Sequence, residues 1–254
     1  MDLKSSSNEG SLWNLIAFRC PNLFPLFLFY CIEMTEGLLA VICHPDDETF
    51  GCGGTLALHA EKGDTVDVLC LTLSDEERRG ELECACEALG VNRPIIFEDK
   101  ILVYGSKLIR RISDIIVEKR PRIIFTHLSI DYHREHRLVY ELVKEAIEWA
   151  AHTTTYSEPW LVERLLLVEI SSLIPQPHVL VDISSVMDRK VNAVNCYTSQ
   201  LVKFSWGYYE KFTENKARLR GVQGGCEHAE AFQEEVLPSY GPFYPVKSSK
   251  DGLL

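Results

Sequence analysis

A continuous apolar run, Gly37-Leu38-Leu39-Ala40-Val41-Ile42, leads straight into Cys43-His44-Pro45-Asp46-Asp47-Glu48. Apolarity that is unbroken rather than alternating marks a strand buried on both faces, the habit of a parallel sheet. Gly51-Cys52-Gly53-Gly54-Thr55 follows, then a helical pattern from Leu56 to Lys62. The strand therefore ends in a turn that holds one histidine and three carboxylates before a helix begins. Ligands of open α/β sheets bind at that carboxyl edge. Adjacent acids repel one another unless a cation or solvent screens them, and a metal site is the simplest account.

A second polar cluster has the same setting. Pro121-Arg122-Ile123-Ile124-Phe125-Thr126 reads as another buried strand and ends in His127-Leu128-Ser129-Ile130-Asp131-Tyr132-His133-Arg134-Glu135-His136. A helical pattern runs from Leu138 to Trp149. His133 and His136 are three apart and share one face of a helical turn. Both clusters fall at carboxyl ends of parallel strands, hence on one rim of the sheet.

The remaining pattern alternates. Strands are expected at 38–43, 65–72, 94–97, 121–126, 164–170 and 178–182. Helices are expected at 53–62, 75–90, 105–119, 135–151, 185–198 and 207–220. Ser74 and Glu77 form a capping box for the second helix, and Gly90 is placed to end it. Ser185 with Asp188 is a weaker start of the same kind. Strands and helices alternating over short connections predict an α/β fold of right-handed βαβ units on a mostly parallel sheet. At 254 residues the chain can bury one full α/β core, and residues 34–254 are read as that single domain. Residues 1–33 are read as an N-terminal extension. Its apolar stretch, Leu23 to Ile32, is short for a membrane span and lacks a basic leader. Met34 as the true start, a docked amphipathic segment and a membrane element all stay open for it. Residues 238–254 read as a frayed tail.

Net charge is −11, which argues against nucleic acid as a partner. The nine cysteines are odd in number, and none forms a Cys-x-x-Cys pair. Free, buried thiols in a reducing, cytoplasmic setting are the expectation. No membrane association is expected, and a homo-oligomer is compatible with the sequence.

His44 and Asp47 supply two candidate ligands and His136 a third. Two imidazoles and a carboxylate with an open position form the pattern of a catalytic zinc site. Asp46 is left beside the metal to take a proton from water. His133 is left to stabilise an oxyanion or protonate a leaving amine, with Asp131 or Glu135 to orient its ring.

This constellation resembles the LmbE-like, or PIG-L, family of zinc-dependent N-acetylglucosaminyl deacetylases. The resemblance rests on Ala40 to Glu48 and on Asp131 to His136. Gly53-Gly54, Arg78 with Glu81 ahead of Leu89-Gly90, Ser199-Gln200, and Ala229-Glu230-Ala231-Phe232 support it. It implies a Rossmann-like three-layer sandwich, with His44, Asp47 and His136 as zinc ligands. It further implies Asp46 as general base, His133 as the electrophilic or acid histidine, and Arg78 as a substrate contact. Cys43, Glu135 and Tyr197 depart from the family's usual residues, and the segment Leu73 to Glu77 is short. The expected function is hydrolysis of an acetamide on an N-acetylated sugar or glycoconjugate, with Zn2+ as cofactor. The same ligand types suit a non-haem iron oxygenase, against which the βαβ pattern stands. A catalytically silent sugar-binding module is the other alternative, and the intact Asp46 opposes it.

Overall fold

The computed structural model describes residues 37–237. The expectations for residues 1–33 and for the tail from 238 lie outside the described residues. Among the described residues, seven strands form one sheet flanked by helices. The order of elements is β1 (Gly37–Ile42), α1 (Asp47–Glu61), β2 (Thr65–Thr72), α2 (Glu76–Leu89), β3 (Ile95–Asp99), α3 (Ser106–Lys119), β4 (Ile123–His127) and α4 (Arg134–Ala150). Then follow β5 (Arg164–Val168), β6 (Val179–Asp182), a 3-10 turn (Ser184–Val186), α5 (Met187–Cys196), α6 (Thr198–Leu201), α7 (Tyr208–Gly224) and β7 (Ala229–Glu235).

The strands lie in the order β3-β2-β1-β4-β5-β7-β6. The pairings from β3 through β5 are all parallel. β7 runs antiparallel between β5 and β6. β1 and β4 are neighbours, with Leu38 opposite Ile123 and Ala40 opposite Phe125. That pairing sets the two polar clusters side by side at their common carboxyl end. Chain order reverses between β1 and β4, the switch point at which such sheets leave a crevice.

Apolar layers cover both faces. On one, Leu39, Val41 and Ile124 pack with Ile112 and Ile116 of α3 and Val139 and Val143 of α4. On the other, Leu38, Ala40, Ile42 and Phe125 pack with Leu56 of α1 and Leu82 of α2. α1 starts at Asp47, six residues earlier than its apolar pattern suggests. Its glycines admit a close approach: a Cβ on Gly51 would lie 2.7 Å from Val168 Cγ2, and one on Gly54 2.6 Å from Ile183 Cδ1.

Two local readings are corrected. The N-cap of α2 is Asp75 rather than Ser74; its side chain accepts from the Arg78 N–H at 2.9 Å. Gly90 ends α2 as expected, at φ 76°. Cys84 is not a free buried thiol. It is exposed and bonded to Cys196, with Cα atoms 5.9 Å apart, so α2 is tied to the end of α5. Cys43, Cys52, Cys70 and Cys86 are free and buried.

Candidate metal centre and active site

β1 delivers His44, and the first turn of α1 delivers Asp47. β4 and the segment after it deliver His127, Asp131 and His133, and α4 brings His136. His44 Nδ1 and His136 Nε2 each lie 3.4 Å from a different oxygen of Asp47. The rings of His44 and His136 are 5.5 Å apart, and that of His133 is 5.2 Å from His44 and 4.6 Å from His136. The fold thus brings together the three residues that the sequence reading named as ligands, with His133 beside them. Candidate donor atoms of His44, His133 and His136 lie within 4.8 Å of one another, as do those of Asp47, His127 and His136.

The electrostatics suit a cation. Burial works against a charge on His44, but Asp47 and Glu135 hold its pKa up to about 9. Burial likewise opposes ionisation of Asp47, yet His136, His127 and His44 pull it well below the usual carboxylate range. His136 Nδ1 sits 3.4 Å from Asp131 Oδ2. That distance allows an ionic contact but the geometry is not that of a hydrogen bond, so both atoms are buried without one among the described residues. A ligand histidine backed by a carboxylate on its far nitrogen is the usual outer arrangement of a metal-bound imidazole. His44, Asp47 and His136 therefore fit a divalent metal by donor type, spacing and backing.

Asp46 has an unusual backbone, φ 123°, a left-handed value that L side chains adopt at a cost. Two contacts fix it. Its N–H donates to Glu48 Oε2 at 3.2 Å, and its Oδ2 accepts from Arg78 at 2.7 Å. Burial, reinforced by the adjacent Asp47 charge, raises the Asp46 pKa well above its ordinary value, with Arg78 opposing. Glu48 is buried in turn and accepts from Tyr197 Oη and Thr49 Oγ1, each at 2.5 Å.

Arg78 lines the cavity, as a substrate contact would, but it is only 8% exposed. Its terminal nitrogens donate to Asp46, to the Pro45 carbonyl and to Glu81. Glu81 also accepts from the Ser199 N–H at 2.6 Å and the Ser199 hydroxyl at 2.8 Å. The acids after β4 do not orient His133. Asp131 Oδ1 accepts the His133 backbone N–H at 2.8 Å, while Glu135 bonds His44 Nε2 at 3.0 Å. Burial, then the neighbouring His136 and His44, lowers the His133 pKa.

His127 is a residue that sequence reasoning left outside the site. It is fully buried, stacks on His136 at 4.1 Å, and accepts the Cys43 N–H at 2.8 Å. Burial pushes its pKa down to about 3. A neutral imidazole packed flat on a candidate ligand fixes that ligand's plane. Its position at the very end of β4, on the active rim, was the signal available in the sequence.

The whole arrangement opens into a cavity of about 760 Å³, walled by His44, Asp46, Arg78, His133, Glu135 and Gln200 among others. A volume of that size holds a small molecule.

The chain is similar to several known proteins. A family model described as PIG-L, GlcNAc-PI de-N-acetylase, matches residues 39–147. A diacetylchitobiose deacetylase of Thermococcus kodakarensis is 27% identical over 221 residues, which cover 77% of this chain and 82% of that protein. A 4-oxalmesaconate hydratase of Pseudomonas putida is 26% identical over 214 residues, 74% of this chain and 81% of the other. The crystal structure of a conserved protein from Thermus thermophilus superposes with a TM-score of 0.73 at 28% identity, covering 84% of this chain and 100% of that one.

Proposed function

Residues 39–147 carry a PIG-L family domain, and from that premise we propose that the chain is a metal-dependent deacetylase of an N-acetylglucosamine-type substrate. One observation carries the reading. His44 and His136 each face a different oxygen of Asp47 at 3.4 Å, at the carboxyl edge of the sheet, and His44, Asp46 and His133 line one cavity. A divalent metal held by those three, zinc by the donor set, would supply Lewis acidity and an acidified water at neutral pH.

The chain's own residues do the rest. Asp46 takes the proton of the attacking water. Its left-handed backbone aims the carboxylate at the cavity, and Arg78 anchors one oxygen while the other is free to accept. Burial and the Asp47 charge raise its pKa, with Arg78 opposing, and a raised pKa makes a carboxylate a stronger proton acceptor. His133, at the cavity wall, donates an N–H hydrogen bond to the developing oxyanion, and Asp46 passes the proton it took from water to the leaving amine. The amide C–N bond breaks, and acetate and a glucosamine-type amine leave. Arg78 serves this reading by holding Asp46; a contact of its own with the sugar is compatible with its place in the cavity wall.

Acetate release from a panel of N-acetylated sugars and glycosides tests the reaction. Asp46→Asn separates base from ligand. It should retain metal while turnover falls about 10²–10⁴-fold, the usual worth of a positioned general base. Wild-type turnover in a metal-loaded Asp46→Asn protein would refute the role. The hydratase relative supplies a second outcome. Hydration of 4-oxalmesaconate, with no acetate from any sugar, would replace this reading.

A further inference from the structure

The left-handed backbone of Asp46, φ 123°, persists only where its surroundings over-determine it. Two hydrogen bonds do so. Glu48 Oε2 accepts the Asp46 N–H at 3.2 Å, and Arg78 donates to the Asp46 carboxylate at 2.7 Å. Glu48 belongs to α1 and Arg78 to α2, so the hold on Asp46 depends on keeping two helices in register. Tyr197 touches both partners. Its hydroxyl donates to Glu48 Oε1 at 2.5 Å. The Arg78 guanidinium carbon lies 5.2 Å from the centre of its ring, close enough for an aromatic face to attract a cation.

Tyr197 is fully buried and does not line the cavity, so it acts on a substrate only through other residues. It lies between α5 and α6. Residues on either side of it are fastened to α2, the helix that carries Arg78. Cys196 is bonded to Cys84, and Ser199 gives its N–H and its hydroxyl to Glu81. Cys84 and Glu81 are three apart and share a face of α2. Glu81 also accepts from Arg78 at 2.6 Å. The ring is therefore clamped to the helix of its guanidinium neighbour, and its hydroxyl crosses to α1. A phenylalanine would fill the same space, because a buried hydroxyl costs free energy unless it is bonded. Here the hydroxyl is aimed at the carboxylate that holds the Asp46 backbone.

We propose that Tyr197 is a positioning residue for Asp46, bonded to Glu48 and set against Arg78 so that the backbone and the carboxylate of Asp46 are fixed together. The role rests on the deacetylase reading for the reaction that Asp46 serves. Rotation of Glu48 would release the Asp46 N–H, and a shift of Arg78 would release its carboxylate. Either change turns the base away from the attacking water.

Tyr197→Phe removes the hydroxyl and keeps the ring. Loaded with zinc, the variant should hold as much metal as wild type. Its kcat for acetate release should fall roughly tenfold to a hundredfold, since a misplacement of about 1 Å costs about a hundredfold. KM should stay within about twofold, because nothing that touches substrate is lost. In an Asp46→Asn background the same substitution should change kcat by less than about twofold, as expected of a residue that acts through Asp46. An unchanged kcat overturns the proposal. So does full additivity with Asp46→Asn, which places the effect elsewhere. Loss of zinc or of the folded state also overturns it, by making Tyr197 a support of the metal centre or of the domain. A crystal structure of Tyr197→Phe gives a readout that needs no turnover: Asp46 should leave its left-handed backbone or its contact with Arg78, and an unmoved Asp46 overturns the proposal. If wild type releases no acetate from any substrate, the deacetylase reading falls and that structure alone decides the positioning role.

Discussion

Glu230 is 4% exposed and Lys190 1%, and they meet at 2.5 Å. The carboxylate does more than pair. Its oxygens accept from the Gly54 N–H at 2.8 Å, the Thr55 N–H at 2.7 Å and the Thr55 hydroxyl at 2.6 Å. Gly54 N–H and the Phe50 carbonyl would be partners in a regular helix, yet the Phe50 carbonyl accepts from Lys216 at 3.0 Å. Buried polar side chains therefore brace α1 in its middle, just past the turn that holds Asp47. Removing one member of a buried pair costs about 3–5 kcal/mol, and orphaned buried donors add about 1–3 kcal/mol each. Glu230→Ala should then approach the whole stability of a domain, about 5–15 kcal/mol. Glu230→Gln keeps an acceptor and should cost roughly 3 kcal/mol, with Lys190→Met similar. Together they remove both charges, so the double variant should cost less than the sum by at least about 2 kcal/mol. Urea unfolding of all four proteins at unchanged m-value measures this. A cost below about 1 kcal/mol for Glu230→Gln, or additivity within about 0.5 kcal/mol, would refute the brace.

Three other outcomes are expected. His136→Ala should lose bound zinc in equilibrium dialysis, and Asp47→Asn should lose zinc and turnover together; full occupancy in either variant sinks the ligand assignment. Burial, then the Lys190 charge, holds Lys216 down to about 7 from 10.5. Unfolded chain keeps that proton over the interval where the folded chain has released it, so stability climbs as pH rises between those values. Wild type should gain on Lys216→Met between pH 7 and 9, and parallel pH profiles would contradict it. Deleting residues 1–33 should leave folded, active protein, because β1 begins at Gly37; aggregation of the shortened chain would show that the domain extends into them.

Much of the architecture was legible because parallel strands buried on both faces leave unbroken apolar runs. β1, β4 and β5 read that way. The proposed ligands His44, Asp47 and His136 stood out because they follow two such strand ends. The start of α1 was not, since Asp47 to Gly54 is polar and glycine-rich, a poor helix former by propensity. Tertiary packing overrides that: Gly51 and Gly54 let the helix backbone rest on Val168 and Ile183. β7 was missed because Ala229 to Glu235 is acidic and low in β-propensity, and it takes Lys190 with the Gly54 and Thr55 donors to make Glu230 acceptable inside. The Cys84–Cys196 bond spans 112 residues, and no local spacing could signal it. Arg78 looked like one charge among several on a helix face, and its partners Pro45 and Asp46 lie more than thirty positions away.

The place of β7 has a consequence for how the chain is made. β6 pairs with β7 and not with β5, so residues 179–182 leave the ribosome with no strand to join. They wait until residue 229 and beyond have emerged, at about 5–20 residues per second a delay of several seconds. Glu230 arrives on that same last strand. The first turn of α1, translated near the beginning, thus receives its brace near the end. A nascent chain can have most of its parallel sheet while the turn that carries His44 and Asp47 is still unsecured.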